Sequence, residues 1–456
     1  MNLKKKVMEL PHYNQLVKPV HFARAVAAGV KYRFPARDLK VIGVTGTNGK
    51  TSTCFLIWKM LNESGRKAGI MTTVAHGYKK LKPELNHMTT VDSKTLNDRI
   101  AEIRDAGADY LVLEVTSHAM EQFRTLGVPV QIAVFTNLTH EHLDYHKTME
   151  NYKKAKCKLF RKAKYGVINA DDKYAKAFMK ASKAYITYGI KNGKVRARKV
   201  KLVVSGVEYS CGDMKIRTRL PGEFNVYNSL AAVAVGQKLG LTEEEIEKGI
   251  YALESVEGRM TRVDEGQDFS VIVDYAHTPD ALEKAFKALG EAPGRVIAVH
   301  GGAGRRDEST RAERGEILAK HSDIVIITED DSRDENPEKI ARQFVEGAER
   351  RGMVEGKNLA VELNREEAIR MAIKLARKDD IVLLLGKGHE KSILRKDGAH
   401  DFEDIKVARE CIKERLREDE KKREEAEKKR QEEEAKRKKE LEKKKKEEEG
   451  YGNITE

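Results

Sequence analysis

The sequence predicts an α/β protein built on parallel sheets, and three observations carry that prediction. Short apolar runs recur along the chain, polar or charged residues close each of them, and helical segments separate one run from the next. At 456 residues the chain exceeds one ordinary domain and suits two or three. In sheets of this kind ligands collect beyond the carboxyl ends of the strands. The notable polar residues of this sequence stand at those ends.

Residues 1–40 form a leader. Val17 to Tyr32 reads as a helix with Val20, Ala23 and Val26/Ala27 on one side, ended by Pro35 and packed on the next domain. Residues 41–256 form a central domain. It opens on the strand Val41–Val44, a glycine loop and a helix over Thr53–Ser64. Further strands follow at Tyr110–Glu114, Ile132–Thr136 and Tyr165–Asn169, then β-hairpin alternation over 190–220. A helical pair, Asn225–Leu239 and Glu243–Leu253, closes this domain. A second α/β unit spans 257–412, with strands at Ser270–Asp274, Arg295–His300, Ile324–Thr328 and Ile381–Leu385. Residues 413–456 form a Lys/Glu-rich tail. Between Lys413 and Gly450 it holds 17 basic and 15 acidic residues and no apolar stripe, so it is expected to be a solvated helix or a disordered segment.

Composition narrows the function classes. Hydrophobic residues at 40% suffice for real cores, and charged residues at 35% exceed the usual ~25%. The net charge of +14 suits nucleic acid and equally a small ligand rich in phosphates and carboxylates. Aromatic residues at 6% argue against an array of base-stacking side chains, but composition does not separate the two ligand classes; with the motifs below, no nucleic-acid partner is expected. No apolar run is long enough for a membrane span. The basic start, Met1 to Lys6, has no apolar segment and cleavage site behind it. Four scattered cysteines, none in a C-x-x-C pair, indicate neither a zinc knuckle nor a disulfide framework and fit a reduced, cytoplasmic setting.

The strongest local signal is Thr45-Gly-Thr-Asn-Gly-Lys-Thr51, between a strand and a helix. Glycines let the backbone wrap phosphate, and a helix N-terminus favours anions. Lys50 would reach terminal phosphates and the Thr51 hydroxyl would help hold Mg²⁺. The strict P-loop pattern is not met, because Val44 stands at its first glycine. Leu113-Glu-Val-Thr-Ser-His118 and Asn137-Leu-Thr-His-Glu-His-Leu-Asp-Tyr-His146 end the next two strands. His140, His142 and His146 do not have a specific zinc spacing, and a structural role competes for each. Glu114 with one histidine suffices for magnesium on phosphates. The second unit carries Gly258-Arg-Met260, Asp274-Tyr-Ala-His-Thr-Pro279, Gly301-Gly-Ala-Gly-Arg-Arg-Asp307, Asp330-Asp-Ser-Arg333 and Gly386-Lys-Gly-His-Glu390, clusters suited to carboxylates and phosphates.

Together these motifs resemble the Mur ligases, ATP-dependent amino-acid-adding enzymes of peptidoglycan synthesis, and within them the tripeptide-forming branch. The resemblance covers about residues 39–412 and runs in order through TGTNGKTS, EVTSHAMEQFR, VFTNLTHEHLDYHKTMENYKKAKCKLF, VDYAHTPDALE and LLGKGHE. It implies a P-loop-type central ATP-binding domain and a Rossmann-like C-terminal domain, with ATP and Mg²⁺ as cofactors. It implies that Gly46, Thr47, Asn48, Gly49, Lys50, Thr51 and Ser52 hold the nucleotide, that Asn228 lies near the adenine, and that Arg259 and Asp274 close on it from the second domain. Thr51, Glu114, His142 and Lys156 would serve the metal, Lys156 as a carbamylated lysine. Catalysis would rest on Lys50, Lys156, His142 and Glu114. Thr89, Thr90, Thr116, Gln122 and Arg124 would bind a UDP-muramoyl-peptide-type acceptor. Arg306, Asp330, Asp331, Ser332, Arg333, Gly386 and Glu390 would take a free amino acid, meso-diaminopimelate favoured over L-lysine because Arg333 could clamp a distal carboxylate.

Several positions depart from the family pattern. Family members usually carry a uridine-binding domain ahead of the glycine loop, and only about forty residues precede it here, so that domain is expected to be absent or reduced. Met88 stands for an asparagine, Thr116 for a serine, Glu141 for an aspartate, and Asp-Asp-Ser-Arg333 for Asp-Asn-Pro-Arg. Two other readings compete: a different member of the superfamily, such as a folylpolyglutamate synthase, and a non-catalytic nucleotide-binding scaffold whose tail recruits a partner.

Overall fold

The computed structural model describes residues 17–85, 88–203, 206–290 and 292–451, with side chains as far as 441. In the central region the strands are β1 (Lys40–Thr45), β2 (Ala68–Met71), β3 (Ala75–Tyr78), β4 (Lys80–Pro83), β5 (Tyr110–Glu114), β6 (Val130–Phe135), β7 (Tyr165–Asn169), β8 (Tyr185–Gly189) and β9 (Val195–Arg196). They make one sheet in the order β4-β3-β2-β5-β1-β6-β7-β8-β9. From β2 to β9 the pairing is parallel, and β3 and β4 fold back antiparallel at one edge. The central strands are buried on both faces, as their unbroken apolar runs require. One apolar layer packs the helices Lys50–Glu63 and Glu223–Lys238 against the sheet, and another packs Ser93–Asp105 and Met149–Lys162. A small antiparallel sheet of β10 (Arg198–Val203), β11 (Gly206–Cys211) and β12 (Met214–Thr218) follows.

The second sheet comprises β13 (Thr261–Val263), β14 (Ser270–Asp274), β15 (Val296–Gly302), β16 (Ile324–Glu329), β17 (Leu359–Val361) and β18 (Ile381–Leu385), in the order β13-β14-β18-β15-β16-β17. Only β13, at the edge, pairs antiparallel among these. Two further apolar clusters cover its two faces. The hairpin β19 (Ser392–Arg395) and β20 (Gly398–Asp401) leads to a helix over Asp404–Tyr451. Arg365 and Asp404, both fully buried, anchor the start of that helix through bonds of 2.7 and 2.8 Å. Beyond Ile412 nearly all its described side chains are exposed.

Two expectations change. The leader helix spans Lys18–Lys31, but Val20 and Ala23 are exposed, and Ala25, Ala28 and Gly29 face the protein instead. The Phe34 ring packs on the faces of Gly29 and Gly127, where a Cβ would collide with it, and this contact sets the helix's rotation. Pro35 does not end the helix. The chain leaves it at Tyr32, reverses through the left-handed residues Arg33 and Phe34, and Pro35 starts a short 3₁₀ turn.

Candidate active site

The glycine loop joins β1 to the helix Lys50–Glu63, which starts three residues earlier than its apolar pattern indicates. Gly49 is left-handed (φ +82°), and a Cβ there would strike Asn228 Oδ1. A Cβ on Gly46 would collide with Thr136 Oγ1. The loop is held from β6: Thr136 Oγ1 donates to Asn48 O (2.7 Å), and Asn48 N donates to Asn137 Oδ1 (2.9 Å). Lys50 Nζ donates to Thr47 O at 2.8 Å.

Glu114 ends β5 and is buried beside the loop. Its Oε2 accepts from Thr51 Oγ1 (3.0 Å) and from both N and Oγ1 of Thr73 (3.1 Å each). Lys156 is buried on the helix Met149–Lys162, and its Nζ donates to Gly46 O at 2.7 Å. Burial, with Lys50 nearby, depresses this amine well below the ordinary lysine range. His142 is left-handed and packs edge-on against His118 at 4.8 Å between ring centres. Burial, aided by the charges of Lys156, Arg306 and Lys50, pulls its pKa to about 4 against the opposing pull of Glu141, so the imidazole is neutral near pH 7. Thr51 and Glu114 line one cavity of the cleft and His142 another, and a carboxylate, a hydroxyl and a neutral imidazole are all donor types that magnesium accepts.

Two cavities meet at Lys50. One is lined by the loop residues Thr47–Ser52, with Glu114 and Asn228 from the central lobe and Arg259, Asp274 and Tyr275 from the second. Asp274 accepts from the amides of Met260 (2.7 Å) and Ala276 (2.8 Å), and burial raises its pKa. The other cavity is lined by Thr89, Thr116, His142, Arg306, Asp330, Asp331, Arg333, Gly386 and Glu390. Four hydrogen-bonded pairs bridge the lobes around the cleft: Arg259 Nη2 to Thr51 Oγ1 (3.2 Å), Asn48 Nδ2 to Asp280 Oδ2 (2.7 Å), His277 with Glu141 (3.3 Å) and His140 with Asp307 (3.1 Å).

The remaining sequence-selected residues fall outside these cavities. Thr90 is buried and donates to Glu114 O (2.9 Å), while its hydroxyl accepts from Thr116 N (3.0 Å). Thr116, which does line the second cavity, caps the helix Ser117–Glu121. Arg124 donates to Gln122 Oε1 and to Thr90 O, tying these three residues into one group. Ser332 donates to Glu329 (2.7 Å).

Sequence reasoning passed over Lys387, although it lies inside the quoted Gly386–Glu390 motif. It is fully buried and reaches Asp331 Oδ1 (2.7 Å), Glu390 Oε2 (2.6 Å) and Asp330 Oδ1 (3.3 Å). Those three carboxylates sit close enough together to hold a metal, but the Lys387 ammonium already stands among them. Three acids in two short motifs were a signal that a counter-charge was needed. Thr73, Tyr275 and His277 were also missed.

Fold and site define a two-lobed ATP-dependent ligase, with a nucleotide loop on one lobe facing a charged pocket on the other. The Mur ligase middle domain matches residues 44–236, and the Mur ligase glutamate ligase domain matches 258–388. The UDP-N-acetylmuramoyl-L-alanyl-D-glutamate–2,6-diaminopimelate ligase 1 of Clostridium acetobutylicum is 40% identical over 403 residues, 86% of this chain and 82% of the relative. The corresponding diaminopimelate ligase of Geobacillus kaustophilus is 38% identical over 417 residues, 88% of this chain and 84% of its own. A solved structure of a 2,6-diaminopimelate ligase of this type superposes with TM-score 0.57 at 31% identity, covering 83% of this chain and 79% of that one. Folylpolyglutamate synthase of Mycobacterium tuberculosis shares the fold, with TM-score 0.66 at 17% identity over 80% of this chain and 92% of its own. The chain belongs to the Mur ligase family.

Proposed function

We propose that the protein joins meso-diaminopimelate to a UDP-N-acetylmuramoyl-L-alanyl-D-glutamate acceptor, with ATP, in peptidoglycan precursor synthesis. The observation that carries this reading is the meeting of the two cavities at Lys50. We assign residues 41–256 to the lobe that binds ATP and acceptor and 257–412 to the lobe that binds the amino acid. A cytoplasmic setting suits such substrates, and no helix among the described residues is long and apolar enough to cross a membrane.

The chemistry follows from the arrangement. A carboxylate oxygen of the acceptor attacks the γ-phosphorus of ATP, the bridging P–O bond breaks, and ADP leaves an acyl phosphate behind. The amine nitrogen of the incoming amino acid then attacks the acyl carbon. The C–O bond to phosphate breaks, an amide forms, and the surplus amine proton passes to solvent. Lys50, facing both cavities, balances charge on the phosphoryl group as it transfers. Thr51, Glu114 and His142 would hold magnesium, which would supply positive charge to offset that of the phosphates. Burial disfavours the protonated form of Lys156, which suits carbamylation: the free amine nitrogen bonds to the carbon of CO₂, an N–H proton leaves, and the amine becomes an anionic carbamate.

The second cavity carries both signs of charge. Arg306 has no hydrogen bond or ion pair among the described residues, whereas Arg333 donates to Gly304 O (2.6 Å) and lies 3.8 Å from Asp331. A distal carboxylate on the incoming amino acid would answer Arg306, whereas L-lysine, which lacks one, would leave Arg306 unanswered. Folylpolyglutamate synthase supports the fold alone. The test is phosphate release from ATP with UDP-N-acetylmuramoyl-L-alanyl-D-glutamate and a panel of amino acids. Release with meso-diaminopimelate above that with L-lysine is expected. Turnover of a folate with glutamate, and none with the muramoyl acceptor, would overturn the reading.

A further inference from the structure

One wall of the amino-acid cavity is the turn Asp330–Arg333, which follows directly on β16. Arg333 is left-handed there (φ +54°). A residue with a side chain keeps that conformation only where its surroundings over-determine it. Asp330, Asp331 and Arg333 line the cavity. Ser332 turns away from it and donates from Oγ to Glu329 Oε1 at 2.7 Å. Arg333 also lines a second, open groove together with Glu329, Ser332 and Arg395, so the turn stands between the two.

The hairpin β19–β20 holds the turn from behind. Leu394 O accepts from Arg333 N at 2.8 Å, and Leu394 N donates to Asp331 Oδ1 at 3.0 Å, the oxygen that also takes Lys387. The next residue, Arg395, donates from Nε (2.9 Å) and Nη2 (2.8 Å) to Glu329 Oε2. The buried Glu329 carboxylate thus joins the hairpin to Ser332, one oxygen to each, while Glu329 O accepts from Arg365 at 3.3 Å. Other acids line the groove, but Asp334 engages Arg305, Glu335 engages Arg311 and Asp397 engages His400. Arg395 is ion-paired with Glu329 alone among the described residues. Its side chain is 43% exposed, and an ion pair with so much solvent on one partner adds little to global stability. Its effect falls instead on the turn it is tied to, whose backbone is strained and whose side chains face the cavity.

We propose that Arg395 is a positioning residue for the incoming amino acid: through Glu329 it keeps the Asp330–Arg333 turn in the shape that binds. This rests on the amino-acid cavity reading above. Arg395 does not line that cavity, so it acts only through the turn. Without its guanidinium, Glu329 keeps Ser332 but loses the hairpin, and the turn samples arrangements other than the binding one. The apparent affinity for the amino acid then falls in proportion to the competent fraction. The glycine loop is on the other lobe and is not tied to this hairpin, so ATP binding is spared.

The test measures KM for meso-diaminopimelate, ATP and the muramoyl acceptor in the full chain and in R395M, R395K, E329Q and R395M/E329Q. R395M should raise KM for the amino acid about tenfold, the size of one charge-assisted hydrogen bond, and leave KM for ATP and the melting temperature near wild type. R395K should recover much of the loss. Adding R395M to E329Q should change little further, because the two residues act as one link. Hydrogen exchange at the Arg333 amide, read without substrate, should be faster in R395M than in wild type. Four results would each overturn the proposal: an unchanged amino-acid KM, an equal rise in KM for ATP, a full tenfold effect of R395M on top of E329Q, or a fall in melting temperature that tracks the KM across the variants. Wild-type protein that turns over no amino acid on any muramoyl acceptor would overturn the proposed function instead. The Arg333 exchange rates would then test the link alone, faster exchange in R395M supporting it and equal exchange refuting it.

Discussion

Replacing Lys387 with methionine tests the charge balance of the amino-acid cavity. The ammonium is fully buried and bonds Asp331 and Glu390 at 2.7 and 2.6 Å, with Asp330 at 3.3 Å. Methionine fills similar volume but leaves three carboxylates without their central cation. Removing one partner of a buried pair costs about 3–5 kcal/mol. For a lobe of this size that lowers Tm by about 10 °C. The pH dependence supplies the sharper test. Burial pushes the Asp330 carboxyl up, but Lys387 and Arg365 outweigh it and hold the group well below the ordinary range. A carboxyl with a depressed folded pKa stabilises the protein above its unfolded pKa, and that contribution is lost only as pH falls through the depressed value. Between pH 7 and 5 wild-type Asp330 therefore contributes in full. In K387M burial acts with much less opposition, the carboxyls rise, and the folded state binds protons more tightly than the unfolded one. The penalty should be largest near pH 7 and shrink toward pH 5. Urea unfolding of both proteins at pH 7.5, 6.5 and 5.5 measures it. A penalty that stays constant over this range, or no penalty, would refute the charge-balance reasoning.

Two further perturbations address the nucleotide side. Lys156→Ala should abolish phosphate release, with partial recovery when formate or acetate is added, because a small anion can replace the carbamate in the space vacated; full activity without any additive would show that Lys156 serves only Gly46 O. Gly46→Ala should force Thr136 off its bond to Asn48 O, at a cost of about 1–3 kcal/mol, and weaken ATP binding measured by calorimetry more than it weakens thermal stability.

Much of the fold was legible because buried parallel strands write themselves as unbroken apolar runs. Tyr110–Glu114, Tyr165–Asn169, Ser270–Asp274 and Ile381–Leu385 have the same bounds in the sequence reading and in the structure. Short edge strands such as Lys80–Pro83 were not legible, since exposed edges need no apolar pattern. The leader helix showed a second limit. Its length was readable, but its buried face was set by a Phe34 contact with two glycines, one of them distant in sequence. In the site, motifs pointed to strand ends, whereas the partnerships within it link residues far apart. Asn48 and Asp280 are separated by 232 positions, and nothing local in either motif announces the other.

Those distant partnerships bear on how the two half-reactions are coupled. The Thr51 hydroxyl donates to Glu114 within its own lobe and accepts from Arg259 of the other. Asn48, whose carbonyl and amide are pinned by Thr136 and Asn137, sends its side-chain amide across to Asp280. The residues that shape the nucleotide loop are therefore the same residues that hold the lobes together. A ligand that reorganises the loop must shift the closed state, and closure must in turn change the loop's affinity for that ligand by the same factor. An acyl phosphate is vulnerable to water until the amine reaches it, so the step that makes it should occur when the lobes are shut. Linking closure to the phosphate loop through Thr51 and Asn48 meets that requirement with two side chains.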